Sequence, residues 1–181
     1  MDCDVLTLPG LWNSGPQHWQ THWERKYPRW TRIAHRDWDS PECGEWVAEL
    51  DAAIAACERP PLLAAHSLSC TLVARWAASN SRLKIAGAFL VAPSDVDAPS
   101  YPKEPVGFGP MPMAPLPFPT MLVASSNDEY VSLERARSFA SAWGSQFIDI
   151  GAAGHINGAS GYGEWPQGEQ LLLDFCARLA C

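Results

Sequence analysis

The chain has 181 residues, 47% of them hydrophobic and 18% charged, with 13 Lys and Arg against 20 Asp and Glu for a formal charge of −7. That length suits one domain (residues 1–181) with a sizeable core, and the composition excludes a disordered chain. The acidic balance gives no electrostatic footprint for nucleic acid or an anionic membrane surface, and no apolar run nears the roughly 20 residues of a membrane helix.

Short apolar runs alternate with amphipathic stretches along the chain. Asp4 to Leu8 reads as a strand closed by Pro9-Gly10, and Gln17 to Tyr27 as a helix with Trp19 and Trp23 one turn apart. Ile33 to His35 is a weak second strand. Cys43 to Cys57 carries Trp46, Val47, Leu50 and Ile54 on one helical face. Pro61 to His66 is a buried strand, followed by a helix over Leu68 to Ser79 with Leu72, Val73 and Trp76 on its inner face. Ile85 to Ala92, Thr120 to Ser125 and Gln146 to Ile150 complete six strands. Ser132 caps a helix that runs to Trp143 before Gly144, and Gln167 to Leu179 closes the chain as a helix. Strands apolar throughout are covered on both faces. The alternation therefore predicts an α/β fold: a mostly parallel sheet of about six strands with helices on both faces.

Ala98 to Pro119 breaks the pattern, with eight prolines and the aromatics Tyr101, Phe108 and Phe118. It excludes a regular helix or central strand and reads equally as a surface connection or as a wall over a pocket. Six cysteines, Cys3, Cys43, Cys57, Cys70, Cys176 and Cys181, match no zinc or redox spacing. The terminus Met1-Asp2-Cys3-Asp4 lacks the basic start and apolar run of a secretion signal. Reduced thiols in a cytoplasmic protein are expected. Cys57, Cys70 and Cys176 fall on apolar helical faces, while Cys181 is the thiol open to oxidation.

Ser67 lies at the junction of a strand and a helix. A nucleophile elbow needs that sharp turn and small flanking residues; here the flanks are Ala65 and Ser69 rather than glycines. On the pentapeptide alone, a helix N-cap serine competes with a nucleophile. Asp128 and His155 follow later strands, in the Ser–acid–His order that such sheets use, each just past a strand's carboxyl end, where open α/β sheets form their sites. His155 would then act as base and Asp128 would orient it. The N–H groups of Leu68 and Leu11 are the candidate oxyanion donors. Asp95, with Asp97 beside it, is the alternative acid after the fourth strand. Trp12 and Trp165 are the candidate substrate-binding aromatics. They suggest an apolar or aromatic acyl or leaving group. His18 and His22 have metal-ligand spacing, but Trp19 stands where a metalloprotease Glu would be and no third ligand is evident, so neither metal nor cofactor is expected. His66 points away from Ser67 and packs.

The segments Pro9-Gly10-Leu11, Ser14-Gly15-Pro16-Gln17-His18-Trp19-Gln20, Ala65-His66-Ser67-Leu68, Ala92-Pro93-Ser94-Asp95, Ser125-Ser126-Asn127-Asp128, Gly154-His155-Ile156-Asn157 and Gly161 to Pro166 span nearly the whole chain. Together they resemble the small serine hydrolases grouped with retinoblastoma-binding protein nine. Ser69 stands where that family usually has Gly. The resemblance implies a three-layer α/β-hydrolase-like fold without a lid domain, Ser67, Asp128 and His155 as catalytic triad, and no cofactor. It carries over no protein partner. The function expected is hydrolysis of an ester, thioester or amide in a small-molecule acyl substrate. A catalytically silent binding module on the same fold is the alternative. A flavodoxin-like domain would want a phosphate loop after the first strand, which Pro9-Gly10-Leu11-Trp12 does not resemble.

Overall fold

A computed structural model describes residues 4–79 and 81–179. Among them, six strands alternate with five helices: β1 (Val5–Leu8), α1 (Trp19–Lys26), β2 (Trp30–Arg32), α2 (Cys43–Ala55), β3 (Leu62–His66), α3 (Leu68–Ala77), β4 (Gly87–Val91), β5 (Thr120–Ala124), α4 (Leu133–Trp143), β6 (Gln146–Asp149) and α5 (Pro166–Arg178). The strands form one sheet in the order β2-β1-β3-β4-β5-β6, every neighbouring pair parallel. From β1 the chain moves outward to β2, then crosses back to place β3 on the other side of β1. The order therefore reverses between β1 and β3, and the crevice at that reversal is where open α/β sheets bind ligands.

The apolar runs make this a three-layer structure because successive side chains leave opposite faces of a strand. Leu6, Leu8, Leu63, Ala65, Ala88, Leu90, Leu122 and Ala124 pack on one face with α2, α3 and α4. Val5, Leu62, Ala64, Phe89, Val91, Met121 and Val123 pack on the other with α1 and α5. The four central strands are buried along their length, but β6 is exposed at both ends, as befits an edge. Coverage on both faces is thus a property of the inner strands. The second strand lies three residues earlier than the sequence predicts. Ile33 suggested the apolar centre, yet the ladder uses Trp30, Thr31 and Arg32 and ends as the Ile33 N–H donates to the Thr7 carbonyl at 3.0 Å. The caps of α4 match the reading: the Ser132 hydroxyl accepts from the Arg135 N–H, and Gly144 closes the helix with φ 71°.

The Pro-rich stretch is neither a free connection nor a single wall. Phe108 and Met111 are buried in the first core layer, and Arg75 of α3 donates to the Phe108 carbonyl at 2.8 Å. The Trp143 indole donates to the Pro112 carbonyl at 2.7 Å. Its start, at Tyr101 and Pro102, lines one cavity, and Pro117 and Phe118 near its end line another.

Two sequence expectations are corrected here. Cys43, Cys57 and Cys70 are free thiols, but Cys176 is disulfide-bonded, so a set of six reduced thiols does not hold; the spacing of cysteines in sequence does not say which sulfurs the fold brings together. Cys3 and Cys181 lie outside the described residues. Trp165, expected to contact substrate, is instead core. It is 5% exposed, stacks on Trp23 at 5.7 Å with a 12° interplanar angle and meets Trp19 edge-on. A Cβ at Gly168 would overlap its indole, so that glycine makes the room for it. Among the described residues no helix is long and apolar enough to cross a membrane. Trp165→Ala is expected to cost about 3–5 kcal/mol, seen as a lower denaturant midpoint. Trp165→Phe should recover most of that loss, because packing and not a polar contact is what the ring supplies.

Candidate active site

Ser67 ends β3 and opens α3, at φ 57° and ψ −124°. An L-residue reaches that conformation only under constraint. Its N–H donates to the Val91 carbonyl at 3.0 Å, which pins the turn to the neighbouring strand. Its hydroxyl makes no helix cap, so the N-cap reading of Ser67 is set aside. The loop after β1 lies against it: a Cβ on Gly10 would sit 2.7 Å from the Ser67 Cβ and 3.2 Å from its Oγ. Ser69, fully buried, donates its hydroxyl to the Pro9 carbonyl at 2.5 Å. A serine at this flank thus ties the Ser67 turn to the β1 loop, a link that glycine lacks.

The three polar residues of the sequence reading come together at the carboxyl ends of β3, β5 and β6. His155 Nε2 lies 2.9 Å from the Ser67 Oγ, and its Nδ1 lies 2.9 Å from both Asp128 carboxylate oxygens. The Asp128 side chain is fully buried and that of His155 nearly so. The two loops carrying them are laced together. Ser125 Oγ accepts from the Ala153 N–H at 2.9 Å, and Asn127 Oδ1 accepts from the Gly154 N–H at 2.7 Å. From below, the Trp19 indole donates to the Ile156 carbonyl and His66 Nε2–H to the His155 carbonyl. Asp95, the alternative acid, is elsewhere: both its oxygens bind Arg135, at 2.8 and 2.9 Å. The Arg135 guanidinium and a backbone N–H hold its carboxyl below the usual range against the effect of burial.

A cavity of about 190 Å³ opens beside Ser67, lined among others by Leu11, Trp12, His18, His66, Tyr101 and Tyr130. Trp12 is 52% exposed at its rim, with φ 64°. Leu68 is the first residue of α3, whose leading N–H groups have no intrahelical partner. In the β1 loop the Trp12 and Asn13 N–H groups are already bonded, to the Trp38 and Gly10 carbonyls, whereas Leu11 lines the cavity. Three imidazoles crowd this site. Burial is the main cause that drives His66 far below its usual pKa and His18 down to about 3, with the neighbouring imidazoles, and Arg32 beside His18, adding to it. Both are neutral at working pH, and of the three only His155 has a carboxylate partner. His18 Nδ1 accepts from the Gln20 N–H as the cap of α1. Among the described residues no group of three or more His, Cys, Asp or Glu could hold a metal ion.

Sequence reasoning passed over Ser94, whose Oγ lies 2.7 Å from that of Ser67. The signal was present: Ser94 follows the strand next to that of Ser67, the same rule that singled out Asp128 and His155. Tyr101 belongs to the Pro-rich stretch that the sequence offered as a possible pocket wall, whereas Tyr130 left no such trace, because it reaches the cavity from a loop whose path depends on tertiary packing.

Known proteins place this architecture. A family model described as serine hydrolase matches residues 5–174. A putative YdeN-like hydrolase from Pectobacterium atrosepticum is 34% identical, with TM-score 0.85 over 96% of this chain and 90% of its own. The YdeN gene product of Bacillus subtilis is 16% identical, with TM-score 0.76 over 97% of this chain and 100% of its own. A Thermogutta terrifontis esterase, 18% identical, shares the fold at TM-score 0.68 over 97% of this chain and 84% of its own. No protein of curated function matches. With the family model covering nearly the full length and a one-third identical hydrolase sharing the fold, the chain belongs to the serine hydrolase family.

Proposed function

We propose that the protein hydrolyses esters of small acids, through an acyl-enzyme on Ser67 with His155 as base and Asp128 as its orienting acid. The observation that carries this reading is the unbroken hydrogen-bonded line from Ser67 Oγ through both nitrogens of His155 to Asp128. The buried Asp128 carboxylate can only accept, so His155 carries its proton on Nδ1 and offers a bare Nε2 to the serine. His155 takes the Ser67 proton as Oγ attacks the acyl carbon and returns it to the leaving group. The developing oxyanion would be met by the Leu68 and Leu11 N–H groups, where one preorganised donor is worth roughly 2.7–4 kcal/mol. Trp12 at the rim offers an apolar face to the leaving group. The cavity of about 190 Å³ favours a short acyl chain.

Labelling with a fluorophosphonate probe tests the reading first. Wild-type protein should label and hydrolyse p-nitrophenyl esters, acetyl to butanoyl faster than octanoyl and longer, and Ser67→Ala should do neither. Absence of labelling in folded wild-type protein would instead leave a silent binding module on this fold. Asp128→Asn is expected to lower kcat by on the order of 10⁴, as loss of the orienting carboxylate does in a comparable triad. Asp95→Asn should leave kcat within about threefold of wild type, since that carboxylate is bound to Arg135, and should lower the unfolding midpoint near neutral pH. Because the Asp95 pKa is depressed on folding, that difference from wild type exists above the ordinary carboxylate pKa and vanishes as pH falls through the lowered value. Gly10→Ala is expected to lose activity with little change in KM, because the new Cβ displaces the Ser67 side chain.

A further inference from the structure

The hydroxyl 2.7 Å from the Ser67 Oγ belongs to Ser94, and proton bookkeeping fixes what it does. Asp128 accepts from His155 Nδ1–H, so His155 Nε2 accepts the single proton of Ser67. Ser67 then has no proton left for Ser94, and across their contact Ser94 must donate. Ser94 in turn has one proton, now directed at Ser67. The result is a one-directional chain, Ser94 to Ser67 to His155 to Asp128, in which each hydroxyl or ring donates once and the carboxylate ends the line.

We propose that Ser94 is a further catalytic residue: its hydroxyl donates to the attacking oxygen and stabilises it through acylation. This rests on the hydrolase reading above. In the step itself the Ser67 Oγ–H bond breaks, its proton goes to His155 Nε2, the Oγ–C bond forms and the carbonyl π pair moves onto the carbonyl oxygen. The Ser94 proton stays on Ser94 throughout. As negative charge grows on Oγ, the bond from Ser94 becomes charge-assisted and stronger than in the resting site. An interaction that strengthens only in the transition state raises kcat and leaves substrate binding alone.

The surroundings suit this role. Ser94 is 1% exposed and Ser67 9%, so little water competes for the contact. The next residue is fixed twice, by the Asp95 N–H to the Tyr130 carbonyl at 2.9 Å and by the ion pair of Asp95 with Arg135. Tyr101, from the start of the Pro-rich stretch, and Tyr130 line the same cavity as the two serines.

The test is the pair Ser94→Ala and Ser94→Cys, the second nearly isosteric but only a weak donor. The rate constant for fluorophosphonate labelling and the kcat and KM for p-nitrophenyl acetate are measured for each, with thermal melts as the folding control. Ser94→Ala should slow labelling and kcat by roughly 10–100-fold with KM within about twofold. Ser94→Cys should slow them by about three- to tenfold, because its thiol keeps the volume but donates weakly. Labelling of Ser94→Ala at the wild-type rate, while Ser67→Ala still abolishes it, overturns the proposal and leaves the hydrolase standing. If Ser94→Ala does not fold, Ser94→Cys decides alone: a severalfold loss in kcat supports the contact and wild-type kinetics overturn it. A wild-type protein that neither labels nor turns over ester removes the underlying reading as well.

Discussion

The backbone of Ser67 is the constraint on which the rest depends. Its left-handed conformation costs about 1–3 kcal/mol by itself and persists only because its surroundings leave the chain no other course. The Val91 carbonyl takes its N–H, Ser69 ties the first turn of α3 to Pro9, and Gly10 lets the β1 loop come within contact of the Ser67 side chain. The same turn points the hydroxyl away from the helix it would otherwise cap and toward His155 and Ser94. Strain at one residue is thus exchanged for three directed contacts on one oxygen or its neighbours.

A second constraint keeps the histidines distinct. His18, His66 and His155 lie in one cluster, with adjacent ring centroids 4.6 and 4.8 Å apart, and three imidazoles that close cannot all carry charge. The structure separates them by partner. His18 caps a helix, His66 holds the His155 carbonyl, and only His155 meets a carboxylate. Their roles follow from those partners, and the two neutral rings serve as packed, hydrogen-bonded scaffolding for the third.

Much of this was legible in the residues. The uniformly apolar runs gave the central strands, and the Ser132 and Gly144 caps bounded α4, because these signals are local. The Ser–acid–His order at strand ends was legible too, since the topology of a parallel sheet gathers those ends along one edge. Weaker signals failed where tertiary contacts dominated. Ile33 drew the second strand toward itself, but the ladder follows the Trp30 side of it. Trp165 sits near His155 in sequence, yet the room left by Gly168 lets it turn into the core.

The sequence by itself determined the layer architecture and which polar residues at strand ends are candidates for nucleophile, base and acid, because hydrophobic period and strand-end position are written in consecutive residues. Only the tertiary structure set Asp128 against His155 and Asp95 against Arg135, although both follow strands. It also placed the Ser94 hydroxyl 2.7 Å from that of Ser67. Contacts between residues 27 positions apart in the chain depend on how strands are ordered and loops are packed, and no local pattern encodes that.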